Sequence, residues 1–209
     1  MAQMSMNKAI HGAFRRDLRR FQDALDRFPA GDAARASALH GAWRNFESQL
    51  SRHHHDEHDI AWEALQQVGV SAEVIAQMDS EHDALASALT GADTSMSRFA
   101  TAPTVENSAS AKVAVDALAS VGGGHMAHEE EVLEPVFQAK KDDPVIKAMG
   151  RKFGKVSPAV GGEFFAWVTD GATPDEMAAI RSNVPAPVIA IIGGIFGRSY
   201  RKNVAPVWR

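Results

Sequence analysis

The 209-residue chain has no cysteine and a single tyrosine. Without cysteine there are no disulfides, no thiolate catalysis and no cysteine-held iron–sulfur clusters, and a reducing, cytoplasmic setting is expected. Positive charge is not in excess either: 22 Lys and Arg face 26 Asp and Glu, for a net charge of −4. That balance leaves no footprint for nucleic acid. Long apolar runs are missing. The longest, VIAIIGGIFG at 188–197, falls well short of the ~20 residues that cross a bilayer and reads as a buried or peripheral helix, so no membrane partner is expected. The opening MAQMSMNKAIHGAFRRDLRR lacks the continuous apolar core and small-residue cleavage site of a secretory leader. The period-two alternation of strands is nearly absent as well.

Helical periodicity is abundant. A first helix is expected from about Met6 to Phe28, with Ile10, Phe14, Leu18, Phe21, Leu25 and Phe28 at steps of three and four. PAGD (29–32) ends it, and Asp32 caps a long second helix to about Val68 that carries Leu39, Trp43, Phe46 and Leu50. Ser71 caps a third, whose stripe is Ile75, Met78, Leu85 and Leu89, followed by TGADTSMSRFATAPT (90–104) as a connection. A fourth spans about Val105 to Lys140, interrupted by GGG at 122–124. The expected fold is all-α: an antiparallel up-down four-helix bundle over residues 1–140. Shorter Gly- and Pro-bounded helices form a C-terminal helical extension, 141–209, packed on the bundle. The basic close RSYRKNVAPVWR reads as a solvated end, and Tyr200 receives no role. The oligomeric state is left open.

The stretch SRHHHDEHDIAW (51–62) concentrates four of the nine histidines. On a wheel of ~100° per residue, Glu57 falls on the centre of the apolar stripe of its helix, with His53 and His54 roughly 50° to either side. His58 sits near the edge and His55 points outward. A buried carboxylate loses its hydration and needs compensation. The other helices offer it: His11 leads the stripe of the first, His82 continues that of the third, and His125 aligns with Leu118, Val121, Val132 and Val136 of the fourth. Glu129 lies close to that line, His128 flanks it on the other side, and Glu130 faces away. Four inward histidines and two inward glutamates, His11, His53, Glu57, His82, His125 and Glu129, form a metal-ligand set. Six N/O donors without thiolate suit two five- or six-coordinate ions better than one structural zinc. The wheel does not separate His53 from His54, which is an extra ligand, a supporting group or a replacement for His53. His58 and His128 are either orienting or proton-relaying groups or partly exposed surface histidines. The GGG run serves either backbone bending and small-molecule access or close helix packing.

These residues resemble the hemerythrin-like, or HHE cation-binding, family. Its oxygen carriers hold two irons through a histidine on the first helix, His-x-x-x-Glu on the second, His-x-x-x-His on the third and His-x-x-x-x-Asp on the fourth. His11 and His53–Glu57 match the first two. The third helix departs, with Met78 and Ala86 four residues either side of His82, and the fourth reads His125-x-x-x-Glu129. The pattern, with HGAFRRDLRRF, HHHDEHDIAW and HMAHEEEVLEPVF, is similar to the actinobacterial hemerythrin-like proteins. The resemblance implies a cofactor of two iron ions bridged by oxo or hydroxo groups and carboxylates. The lost histidine implies open positions that react with a small-molecule ligand, H2O2, NO or O2, in oxidative or nitrosative stress defence. That activity would be catalase-like or a nitric-oxide peroxidase activity; the alternative is an O2- or iron-binding, storage or sensing protein without turnover.

Overall fold

A computed structural model describes residues 4–209. Among them no strand occurs. The long helices are α1 (Met6–Asp26), α2 (Ala33–Asp56), α4 (Ala72–Thr101) and α5 (Val105–Val132); a π-helical turn (Glu57–Ala61) joins α2 to the short α3 (Trp62–Gln67). Each long helix begins on an oxygen that accepts from the backbone N–H three residues on: Ser5, Asp32, Ser71 and Thr104 occupy the caps. α1 packs on α2 and α5, and α4 packs on the same two, closing a ring around one interior. Partner numbers run in opposite senses along the seams. On α1 and α5, His11 meets Glu130, Gln22 meets Asp116 and Ser108 meets the Leu25 carbonyl. On α2 and α4, Trp43 meets Asp93 while Glu57 meets His82.

Three local expectations change. The segment 90–101 is not a connection: Ala92, Met96 and Phe99 extend the Leu85–Leu89 stripe at helical spacing and are fully buried, so α4 continues to Thr101. The GGG run does not interrupt α5, which breaks instead at Leu133, just before Pro135. Pro135 lacks the N–H that would continue the ladder. A Cβ on Gly122 would meet Leu85 Cδ1 at 3.2 Å, so close packing explains that glycine, while Gly123 and Gly124 face open space. The second helix is not uninterrupted. At Glu57 the backbone makes one i to i+5 turn, Trp62 N–H to Glu57 carbonyl, which rotates the helix that follows. The buried positions after it become Ala61, Trp62, Ala64 and Leu65 rather than the simple continuation through Val68.

Beyond α6 (Glu134–Lys140), residues 141–209 form α7 (Pro144–Phe153), α8 (Pro158–Val168), α9 (Pro174–Asn183), α10 (Ala186–Phe196) and α11 (Arg198–Asn203), then a 3-10 turn, Ala205–Trp208. Thr173 and Glu176 form a reciprocal capping box on α9. The basic end is not solvated. Tyr200, Val204, Ala205 and Val207 are buried, Trp208 packs edge-on against Phe21 (4.9 Å between centroids), and Arg35 donates to the Val207 carbonyl (2.7 Å). Alternating apolar anchors hold the backbone there, and its cations are left at the rim. Trp167 of α8 is buried against α1. Its Nε1–H donates to the buried Asp17 (2.8 Å), Arg20 donates to the same carboxylate (3.0 Å), and its ring tilts on Phe14 (4.9 Å). Burial pushes the Asp17 carboxyl up despite these donors.

Candidate metal centre

One end of the ring interior is polar. His11, Glu57, His82, His125 and Glu129 are buried at 9% exposure or less, among Phe14, Leu85 and Met126. Their donor atoms fall into two groups, each with its atoms within 4.8 Å of one another: His11, His53, Glu57 and Glu129, and His54, Glu57, His82 and His125. Glu57 belongs to both. His53 and His54 are therefore not alternatives. Adjacent helical residues diverge by ~100°, and with Glu57 between them one imidazole serves each group. Where the spacing of the third helix left a histidine short, α2 brings a fifth imidazole.

The carboxylates are the unusual part. Both oxygens of Glu57 and Oε2 of Glu129 are buried and accept no hydrogen bond. Glu57 Oε1 lies 3.1 Å from His53 Nε2 and Oε2 lies 3.4 Å from His82 Nε2, without hydrogen-bond alignment. Nor do these imidazoles supply charge. Burial, then the neighbouring imidazoles His11, His82 and His125, hold His53 well below its ordinary pKa. Burial and His125 hold His82 down at about 4, and burial with His53, His82 and His125 depresses His54 strongly. Burial and the negative charge of Glu129 push the Glu57 carboxyl well up. Glu129 is held below the usual carboxylate range: burial opposes ionisation, but His11, His125 and the amide of Asn7 (2.9 Å) outweigh it.

Groups behind the imidazoles set which nitrogen faces inward. His11 Nδ1 donates to Glu130 Oε1 (3.0 Å), where Arg15 also donates (2.6 Å). His11 Nε2 then faces Glu129 Oε2 (3.1 Å) and His53 Nε2 (3.3 Å). His125 Nδ1 donates to Glu81 Oε2 (3.1 Å), leaving Nε2 facing His82 Nε2 at 3.1 Å. A neutral imidazole that donates through one nitrogen offers only a lone pair on the other. Burial works against a charge on His11, but Glu129 and Glu130 raise its pKa, so a proton shared at the His11–Glu129 contact offsets that carboxylate. At Glu57 the carboxylate oxygens meet only neutral imidazoles and need a proton or a cation. A carboxylate behind a ligating imidazole is the support such sites use. The donor set and the orphaned oxygens fit divalent or trivalent cations well.

Two supporting residues were not legible in the sequence. Glu130, expected to face away, turns back at the α1–α5 seam to His11. Glu81 sits beside the α4 stripe, and only the packing of α4 on α5 brings it to His125 and His128 (2.8 Å). His128 therefore stands behind His125, joined through one carboxylate. His58 does not reach either group: its side chain is 64% exposed and meets Asp79 (3.2 Å), which also accepts from Trp62 Nε1 (2.7 Å). The ring of Trp62 stacks on His82, which stacks on His54 (4.3 Å). His55 points outward and pairs with Asp59. Beside His53 and His54 the interior keeps a small apolar cavity lined by Phe14, Phe46, Leu50, Leu85, Gly122 and Met126.

Compared with known families, residues 5–137 match the model of the hemerythrin HHE cation binding domain. No curated protein and no solved structure matches the chain.

Proposed function

The chain belongs to the hemerythrin HHE cation-binding family, and on that premise we propose that it is a non-haem di-iron protein that reacts with small oxidants. In this reading residues 4–140, the described part of the 1–140 unit, are the antiparallel up-down four-helix bundle that carries the centre, and 141–209 are an extension packed on it. One ion would be held by His11, His53, Glu57 and Glu129, the other by His54, Glu57, His82 and His125. Glu57 would bridge them. The observation that carries this reading is Glu57 itself, a buried carboxylate with two unpartnered oxygens, each near a different imidazole group.

When bound, such an iron pair supplies a two-electron redox couple and a Lewis acid for a peroxide, nitric oxide or O2. The chain does the rest. Glu130 and Glu81 orient His11 and His125, Asn7 leaves one Glu129 oxygen free, and the phenylalanines and leucines of the interior exclude bulk water. His128, partly exposed and hydrogen-bonded to Glu81, is placed to exchange a proton between solvent and the His125–Glu81 pair. With His54 counted, the set contains five imidazoles and two carboxylates, the same tally as in the carriers of the family. Reactivity in this reading therefore rests less on a missing ligand than on coordination positions the seven donors leave open. In this reading the protein works in the cytoplasm, in oxidative or nitrosative stress defence.

Metal analysis of purified protein, followed by peroxide and nitric-oxide turnover after iron loading, tests the reading. Two irons per chain with sustained turnover is the expected outcome. Reversible O2 binding without turnover makes the protein a carrier or store, and a single zinc per chain overturns the di-iron centre.

A further inference from the structure

Helix α10 is built the wrong way round for a helix facing water. Its buried residue is Gly193, while Val188 (41%), Ile191 (56%), Ile195 (50%) and Phe196 (41%) are exposed. The tight contacts with α8 are at Gly162 of that helix and at Gly197, just past the end of α10, whereas a Cβ on Gly193 would meet Phe165 Cβ at 3.4 Å. A Cβ on Gly162 would fall 2.3 Å from Phe196 Cβ, and one on Gly197 would fall 2.6 Å from Ala166 Cβ. Small residues thus let the two backbones approach closely, as helices do in apolar surroundings, with Ile192 at the seam and Val188, Ile191 and Ile195 left exposed. Val156, also exposed (41%), lies at this seam: Val156 and Ile192 are the atoms a Cβ on Gly161 would touch.

Along the chain from α10 to its end the charges have one sign. From residue 177 to the end there is no acidic residue, while Arg181, Arg198, Arg201, Lys202 and Arg209 are present and Lys155 precedes Val156. No charge occurs between Arg181 and Arg198. Arg201 folds onto the Gly193 and Gly194 carbonyls, which keeps one guanidinium at the end of the apolar stripe. The acidic residue on α8 is Glu163. No single helix among the described residues is long and apolar enough to cross a membrane, and α10, at about 16 Å, falls short of the ~30 Å hydrocarbon core.

We propose that α10, with Val156 beside it, is a docking face for an anionic lipid bilayer, its isoleucines and Phe196 entering the headgroup–acyl boundary and Lys155, Arg198, Arg201 and Lys202 meeting lipid phosphates. A second copy of the chain fits less well, because a symmetric pairing of this face would bring the same cations together.

The test is co-sedimentation of the full chain with vesicles of phosphatidylglycerol and phosphatidylcholine, against phosphatidylcholine alone. Binding to the anionic vesicles alone, weakened by salt, is expected. Ile191→Glu/Ile195→Glu should abolish it, and Arg198→Gln/Lys202→Gln should lower the partition coefficient roughly thirty-fold. Circular dichroism and metal content, unchanged in both variants because these residues are exposed and remote from the histidines, show that the fold is retained. Absence of binding at low salt, or equal binding to both vesicles, overturns the proposal. So does a concentration-dependent dimer in sedimentation equilibrium that Ile191→Glu/Ile195→Glu dissolves.

Discussion

Glu57→Gln should have opposite effects with and without metal, and the sign can be worked from the geometry. In chelated protein Glu57 is a buried carboxylate with no donor on either oxygen, beside imidazoles held neutral. Glutamine removes that charge, and its amide can donate to His53 Nε2 or His82 Nε2, 3.1 and 3.4 Å from the present oxygens. Relieving an unsatisfied buried group of this kind is worth about 1–3 kcal/mol, or roughly 2–12 °C in Tm for a chain of this size. The folded-state pKa of Glu57 is raised above 4.5. Its favourable, protonated state is therefore fully present below pH ~4.5 and lost as pH rises through the raised value. The advantage of glutamine should thus be seen at pH 7–8 and vanish near pH 4. With metal the order reverses: ions at a thousand-fold excess over Kd stabilise the parent by about 4 kcal/mol per site, and the variant, lacking the shared ligand, gains little. Thermal melts with chelator and with ferrous iron, at pH 4.5 and 7.5, measure all of this. A chelated Glu57→Gln protein less stable than the chelated parent at pH 7.5 would refute the reasoning, since Glu57 would then be satisfied by the protein alone.

His53→Ala and His54→Ala should each remove about one of two bound metal equivalents, because they belong to different groups, while His55→Ala removes none; elemental analysis of the three variants decides. His82 provides a pH signature in the chelated protein. Its folded-state value of about 4 lies below the ordinary 6.5, so the unfolded chain takes up a proton first and stability falls as pH drops from 6.5 towards 4. The loss is about 3 kcal/mol, and urea melts of Glu57→Gln with and without His82→Gln should separate it from the opposite slope of Glu57. Trp167→Phe keeps the packing on Phe14 but takes one donor from the buried Asp17, and denaturant unfolding should show a loss of about 1–3 kcal/mol.

Much of this could be read from residue spacing. Periodicity placed α1, Ser71 and Asp32 placed the caps, and the coincidence of inward histidines with inward glutamates marked residues that converge at the candidate metal centre. A wheel fails where the helix stops being regular. The π-turn at Glu57 shifts the phase after it, and the Gly91–Ser97 stretch looks polar although Ala92 and Met96 are buried. A wheel also knows one helix at a time. Glu81 and Glu130 lie off their own stripes and matter only because a neighbouring helix carries a histidine opposite them.

Chain order alone settles the helical class and the inward-facing donors, because side-chain direction along a regular helix is a local property of backbone geometry. Seam-crossing relations belong to the folded molecule: the division of five imidazoles into two groups about Glu57, the carboxylates behind them, the docking of Trp167, Tyr200 and Trp208, and the exposure of Ile191 and Ile195. Those depend on how closely and at what rotation helices approach, which is set by every packed side chain together and is written in no single stretch.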